Sequence, residues 1–135
     1  MSFEVGIVAG FGARHHLVGD FGPASRTHAH TYRVEVSVSG TSLQSDGTLF
    51  DITRLQEALS SVIAELDGRD LNQIADLATP NPSAEVVAEY LVERIAPALQ
   101  SAGLDHLQAR VWESPEAYAS YTGDLARAAA TTWRK

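Results

Sequence analysis

The run from Tyr32 to Ser39 constrains this chain more than any other, because Tyr32, Val34, Val36 and Val38 alternate strictly with Arg33, Glu35, Ser37 and Ser39. Side chains on a strand project to opposite faces with a period of two, so this segment lies in a sheet with one buried face and one wet face. Gly40 ends it. Phe3, Val5, Ile7, Ala9, Phe11 and Ala13 show the same parity against Glu4, Gly6, Gly10, Gly12 and Arg14, which predicts an earlier strand. Val18 to Thr27, with Gly19, Asp20, Gly22, Pro23 and Ser25, has turn composition and no period, and reads as the loop between them. Leu107, Ala109 and Val111 alternate with Gln108, Arg110 and Trp112 in a third strand, and Tyr118 to Tyr121 supplies a fourth.

A sheet with one apolar face needs a cover. Ile52, Leu55, Leu59, Val62, Ile63 and Leu66 fall at helical spacing after Asp51, which predicts a helix of about four turns with Asp51 at its start. Ser83 is a good N-cap for a second helix whose stripe is Val87, Tyr90, Leu91 and Ile95, ending or kinking near Pro97 and over by Gly103. Residues 67 to 82 are rich in Asp, Asn and Pro and read as a long loop, a length often functional in small domains. The order is β-β-α-α-β-β in one α+β domain over residues 1–123: a four-stranded antiparallel sheet with both helices on one face. Residues 124–135 form an Ala- and Arg-rich C-terminal tail to which the pattern assigns no structure. The sheet's other face and its two edges are left open, and oligomerisation is the simplest way to cover them.

Charge and composition narrow the function. Ten Lys and Arg against seventeen Asp and Glu leave a net charge of −7, which repels a phosphate backbone, so nucleic acid is not an expected partner. No apolar run is long enough to span a bilayer, and Met1-Ser2-Phe3-Glu4-Val5 has none of the features of a secretory leader. The expected location is the cytoplasm, without membrane attachment. With no cysteine anywhere, thiolate ligands and a thiol nucleophile are excluded.

His28 and His30 share the parity of Tyr32 and Val34, so two imidazoles project from one face with Cα atoms about 7 Å apart. His15 continues the odd parity of the first strand and faces the same side unless a bulge intervenes, whereas His16 faces away. An isolated His-x-His pair also occurs as partly buried histidines bonded to backbone carbonyls. Four of the five histidines within sixteen residues tip the reading toward a metal-site architecture, and neutral imidazoles without thiolate suit zinc with an open fourth position. Glu113 shares the parity of Leu107, Ala109 and Val111, which puts a carboxylate at the end of an apolar face unless the strand has left the core by then.

The string Phe11-Gly12-Ala13-Arg14-His15-His16-Leu17, followed by His28-Ala29-His30-Thr31-Tyr32, resembles the 6-pyruvoyltetrahydropterin and 6-carboxytetrahydropterin synthase family. The likeness continues through Leu49 to Leu55, Leu66 to Asn72, Asn81 to Glu85 and Val111 to Pro115, covering roughly residues 3 to 121 in order. It implies the tunnelling fold (T-fold), in which sheets of neighbouring subunits join into a barrel and two trimers commonly stack into a hexamer, with pterin sites between subunits. Carried over residue by residue, it makes His15, His28 and His30 zinc ligands and Glu113 the anchor for the pterin's amidine-like edge. Ser83 falls where relatives often carry a Thr near the pterin.

The resemblance also marks what is missing. Synthases of the family move protons with a Cys, an Asp and a His; here the Cys position is Ala24 and the His position is Gly68, leaving Asp67 as the retained remnant. Losing two proton-transfer groups, each worth about 10²- to 10⁴-fold, puts the standard reaction out of range unless Ser25, Arg26, His16, Arg69 or Asp70 replaces them. The expectation is a divergent homologue that binds a pterin-like heterocycle at a subunit interface without the standard synthase reaction. The alternatives are altered lyase or aldolase-like chemistry on a pterin or deazapurine precursor, and an oligomeric scaffold with a vestigial pocket.

Overall fold

A computed structural model describes residues 1–99 and 103–125. Strands β1 (Phe3–His15) and β2 (His28–Gly40) pair antiparallel in unbroken register from Phe3 opposite Gly40 to His15 opposite His28. Strands β3 (His106–Ser114) and β4 (Ala117–Asp124) complete a sheet of order β1-β2-β3-β4. Val34, Val36 and Val38 of β2 lie opposite Val111, Ala109 and Leu107 of β3, and all six are fully buried. β-Branched side chains standing on a pleated surface fill that layer well, and each large apolar group buried there stabilises the fold by about 1.5–3 kcal/mol.

Two helices cover this face as the periodicity predicts. Helix α1 (Ile52–Leu66) starts where the Asp51 carboxylate accepts from the Thr53 amide at 2.9 Å, and it packs Leu55, Leu59 and Leu66 inward against β1. Residues 67 to 82 are not a plain loop. A 3₁₀ turn at Leu71–Gln73 and a short helix α2 (Ala75–Ala78) sit there, each burying a leucine, Leu71 and Leu77. Elements of three and four residues are too short to display a helical period, which is why composition alone suggested loop. Helix α3 (Ala84–Ile95) packs Val87, Leu91 and Ile95 against β3 and β4, then gives way at Ala96–Leu99 to a 3₁₀ turn containing Pro97.

After α1 the chain turns at Gly68, whose φ of 76° is a left-handed conformation that glycine adopts without strain. It then runs along the outer edge of β1: Gly68 N–H donates to Gly12 O at 2.7 Å, Arg14 N–H to Arg69 O at 3.0 Å, and Gly12 N–H to the Asp67 carboxylate at 2.9 Å. The histidine-bearing end of β1 is thereby sealed on its outer side. The C-terminal tail lies, from residue 126 onward, outside the described residues, and no described helix is long and apolar enough to cross a membrane.

Candidate metal centre and adjoining cleft

The unbroken β1–β2 register brings Ala13 opposite His30 and His15 opposite His28, so the three imidazoles share the helix-covered side at one end of the sheet. His15 is 1% exposed, and His28 and His30 are half-buried. One ring nitrogen from each lies within 4.8 Å of the others. His15 Nδ1 sits 2.7 Å from the Pro82 carbonyl, and His28 Nδ1 sits 2.8 Å from the Arg26 carbonyl. A carbonyl only accepts, so both Nδ1 atoms carry the proton and both Nε2 atoms present bare lone pairs.

Those two Nε2 atoms face each other at 3.0 Å. Two lone pairs that close repel unless a cation lies between them. Tetrahedral zinc, with Zn–N near 2.0–2.1 Å, spaces its nitrogens about 3.3 Å apart. The donor set fits such an ion: neutral imidazole nitrogens, tautomers locked from behind, and no thiolate. Burial pushes the His30 pKa below its ordinary value, with the neighbouring Glu113 acting the other way and His15 and His28 adding to the lowering. The neutral ring that ligates metal is therefore favoured at neutral pH. Beneath the cluster, Tyr32 is fully buried and stacked on Phe11 at 4.8 Å, with its hydroxyl 3.5 Å from His15 Nδ1. Burial, assisted by the Glu113 charge, raises its pKa and keeps it neutral.

Glu113 stands at an irregularity in the sheet. Trp112 pairs with Tyr118 and Ser114 with Ala117, so the β3–β4 register slips across Glu113 as a bulge. Bulges re-aim side chains at the rims of sheets. The β2–β3 pairing ends at Arg33 opposite Trp112, leaving the histidine end of β2 without a strand on that side. A cleft of about 630 Å³ opens there, lined by His30, Thr31, Arg33, Trp112, Glu113 and Pro115 among others. No donor among the described residues reaches the half-buried Glu113 carboxylate. Trp112, by contrast, donates from Nε1 to Glu35 at 3.1 Å, and Glu35 also pairs with Arg33.

The groups weighed as replacements for the missing thiol and imidazole are mostly engaged in holding loops. Ser25 Oγ donates to Gly19 O at 2.8 Å and accepts from Phe21 N–H at 3.0 Å. Asp70 caps the turn at Leu71–Gln73 through the Asn72 amide, and Arg69 reaches the Glu65 carbonyl. Asn72 clips both backbone groups of His16, accepting from its N–H at 2.9 Å and donating to its O at 3.0 Å. Arg26 contributes its carbonyl to His28 while its guanidinium has no partner among the described residues. Ala24 offers only backbone groups, its O accepting from Leu17 N–H at 2.9 Å and its N–H donating to Phe21 O at 3.3 Å. Asp67 spends an oxygen on Gly12, and a Cβ at Gly68 would meet nothing within 4 Å. Ser83 accepts from the Val86 amide at 3.3 Å as the cap of α3 and is not among the residues lining the Glu113 cleft.

Sequence reading missed the carbonyls of Pro82 and Arg26 as the groups that orient the histidines. It also missed the paired clips of Asn72 on His16 and Asn81 on Val18, the latter at 2.7 and 3.3 Å. The Asn81-Pro82-Ser83 corner was a visible signal for one of these; a backbone carbonyl carries no signature in residue type.

Comparison with known proteins bears on the same residues. The family described as 6-pyruvoyl tetrahydropterin synthase matches residues 4–124. A Pyrococcus horikoshii protein provisionally named 6-carboxy-5,6,7,8-tetrahydropterin synthase is 33% identical, over 74% of this chain and 76% of the relative. A Pyrococcus furiosus protein named dihydroneopterin monophosphate aldolase is 38% identical over 50% of this chain and 54% of its own length. In three dimensions, 6-pyruvoyl tetrahydropterin synthase of Caenorhabditis elegans superposes with a TM-score of 0.78 at 23% identity, covering 92% of this chain and 97% of that one. From the strand order to the sequence match running through β1 and into the end of β4, the chain belongs to the 6-pyruvoyl tetrahydropterin synthase family.

Proposed function

We propose that this protein binds a pterin-like heterocycle in the cleft at Glu113 and does not carry out the standard synthase reaction. The observation that carries this reading is the Glu113 carboxylate, half-buried in a cleft and reached by no donor of the described protein. Such a group is costly unless a ligand supplies donors, and two parallel N–H groups on the amidine edge of a pterin match its two oxygens. His15, His28 and His30 are the residues that hold zinc in this reading; the ion, when bound, polarises a ligand oxygen as a Lewis acid. The chain's own groups orient the ligand: Glu113 fixes the heterocycle and His30, on the same cleft, fixes its side-chain end.

The chemistry is limited by what the chain lacks. It has no thiol, Gly68 offers no imidazole, and the Asp67, Ser25 and Asp70 side chains are committed to backbone partners. Altered lyase or aldolase-like turnover is the second reading, favoured by the name of the Pyrococcus furiosus relative. The outer edge of β1 beyond the stretch sealed at Gly12–Arg14, with Phe3 and Val8 exposed, and the exposed Tyr118 on β4 support closure of sheets between copies into trimers or hexamers.

A turnover assay tests the reading. Zinc-loaded protein incubated with dihydroneopterin triphosphate is expected to bind it, seen as a change in pterin fluorescence, and to release neither 6-pyruvoyl- nor 6-carboxytetrahydropterin. Multiple turnovers to either product would contradict it. Light scattering that gives a mass near the 14.5 kDa monomer would contradict the assembly.

A further inference from the structure

The outer edge of the histidine-bearing strand is paired, residue after alternate residue, by the segment that follows α1. Gly12 and Arg14 lie inside the sheet and are met by the main chain of Gly68 and Arg69 and by the Asp67 carboxylate. His16 and Val18 lie past the last β1–β2 pair, His15 opposite His28, and are met by side-chain carboxamides instead. Asn72 accepts from His16 N–H at 2.9 Å and donates to His16 O at 3.0 Å; Asn81 accepts from Val18 N–H at 2.7 Å and donates to Val18 O at 3.3 Å. Each clip makes the two bonds that a residue of a neighbouring antiparallel strand would make.

The clips are alike, but only one leads to the metal centre. The main chain of His15 is held by its pairing with His28 and by the Arg14–Arg69 bond beside it, whereas its ring depends on the Pro82 carbonyl at 2.7 Å. Pro82 is buried, belongs to no helix or strand, and has no N–H of its own to anchor it. One side of that carbonyl is fixed by Ser83, which caps α3, and the other by Asn81 through its grip on Val18. Residues 81 and 82 therefore hold the His15 segment at two points, its backbone beyond the sheet and its ring. Asn72 has no part in that path.

We propose that Asn81 is a positioning residue for the metal centre: its carboxamide, bound to Val18, keeps the Pro82 carbonyl against His15 Nδ1 and so keeps the Nε2 lone pair of His15 facing that of His28. Such a partner behind an imidazole fixes its tautomer and raises its basicity toward a metal. The effect on zinc rests on the function proposed above; the orientation of the His15 ring does not.

Zinc affinity, measured by competition with a chromophoric chelator, tests this on the wild type, Asn81→Ala and Asn72→Ala, with melting temperatures of the same samples. Each variant removes one two-bond clip, so a merely structural role predicts similar losses in both. Loss of an orienting partner weakens metal binding about 10- to 100-fold, and this is expected of Asn81→Ala while Asn72→Ala stays close to the wild type. Equal losses in the two variants, or wild-type affinity in Asn81→Ala, overturn the proposal. Nitrogen-15 NMR of the metal-free proteins at mildly alkaline pH gives an arm independent of zinc. His15 is expected to carry its proton on Nδ1 in the wild type and to exchange between both ring nitrogens in Asn81→Ala. That result supports the proposal even if the wild type holds no zinc, in which case the metal reading alone falls; an unchanged tautomer in Asn81→Ala overturns it. Should Asn81→Ala not fold, Asn81→Asp, which keeps the acceptor for Val18 N–H and loses only the donor, is read in the same two ways with a smaller change expected.

Discussion

The two ends of the same sheet face differ in one respect that organises the molecule. At one end the inward positions of β2 and β3 are Val36, Val38, Leu107 and Ala109, all fully buried and apolar. At the other end the same parity continues as Ala13, His15, His28, His30 and Glu113. The β1–β2 register is held constant while chemistry changes, and the β3 bulge falls only at Glu113. In the apolar half each group needs only close neighbours. In the polar half each nitrogen or oxygen needs a partner, and the loops supply them: Pro82 for His15 and Arg26 for His28. Among the described residues at this end, the facing Nε2 atoms and the Glu113 carboxylate are left open to a ligand, and the buried His16 Nδ1 also has no hydrogen-bond partner. Polar groups left open where the neighbouring ones are satisfied are the places a ligand can complete.

The strongest way to break the comparison is in the apolar half. Leu107→Ala removes a fully buried side chain opposite Val38 and is expected to cost about 2–5 kcal/mol of stability, read by urea denaturation. A loss well under that range would mean the sheet face is not closely packed by α3.

In the polar half, the double variant His28→Ala, His30→Ala is expected to lose the metal that the wild type retains in near-stoichiometric amount, measured by elemental analysis after zinc loading and desalting. Wild-type protein that retains none would leave the facing nitrogens to share a proton instead. Asp67→Ala removes one charge-assisted bond to Gly12 at the boundary between the halves. It is expected to lower stability by about 1.5–3 kcal/mol at most, less in proportion to its exposure, without abolishing metal retention.

The smallest effect lies on the helical layer far from the site. Tyr90 donates to Glu65 at 2.6 Å, and burial together with that carboxylate pushes its pKa up to about 12. The raised value favours the neutral phenol in the folded state. Its contribution is thus complete below pH 10 and is lost as the pH rises toward 12. Tyr90→Phe is expected to flatten that alkaline decline in a pH series of melting temperatures, and an unchanged slope would contradict the assignment.

Much of this contrast could be read before any coordinates. Strand parity placed His15, His28 and His30 on one side, and the register from Ala13 to His15 leaves no bulge to spoil it. Asp51 and Ser83 were recognisable as caps because their side chains do the capping. The turns at residues 71–78 escaped notice because they are shorter than a helical period. The bulge at Glu113 and the carbonyls of Pro82 and Arg26 escaped it for another reason: a register slip or a backbone acceptor can be made by nearly any residue. Only the packing of distant segments decides where it falls.

Calorimetric titration of neopterin into zinc-loaded wild type and Glu113→Gln addresses the central claim most directly, with melting temperatures measured on the same samples. Truncating one side of a paired, desolvated contact costs about 2–5 kcal/mol of binding, so the variant is expected to bind roughly 30-fold more weakly or worse while melting no lower than the wild type. Equal affinity of the two proteins would contradict the account, since the open carboxylate at the polar end of the sheet would then have no part in holding the ligand.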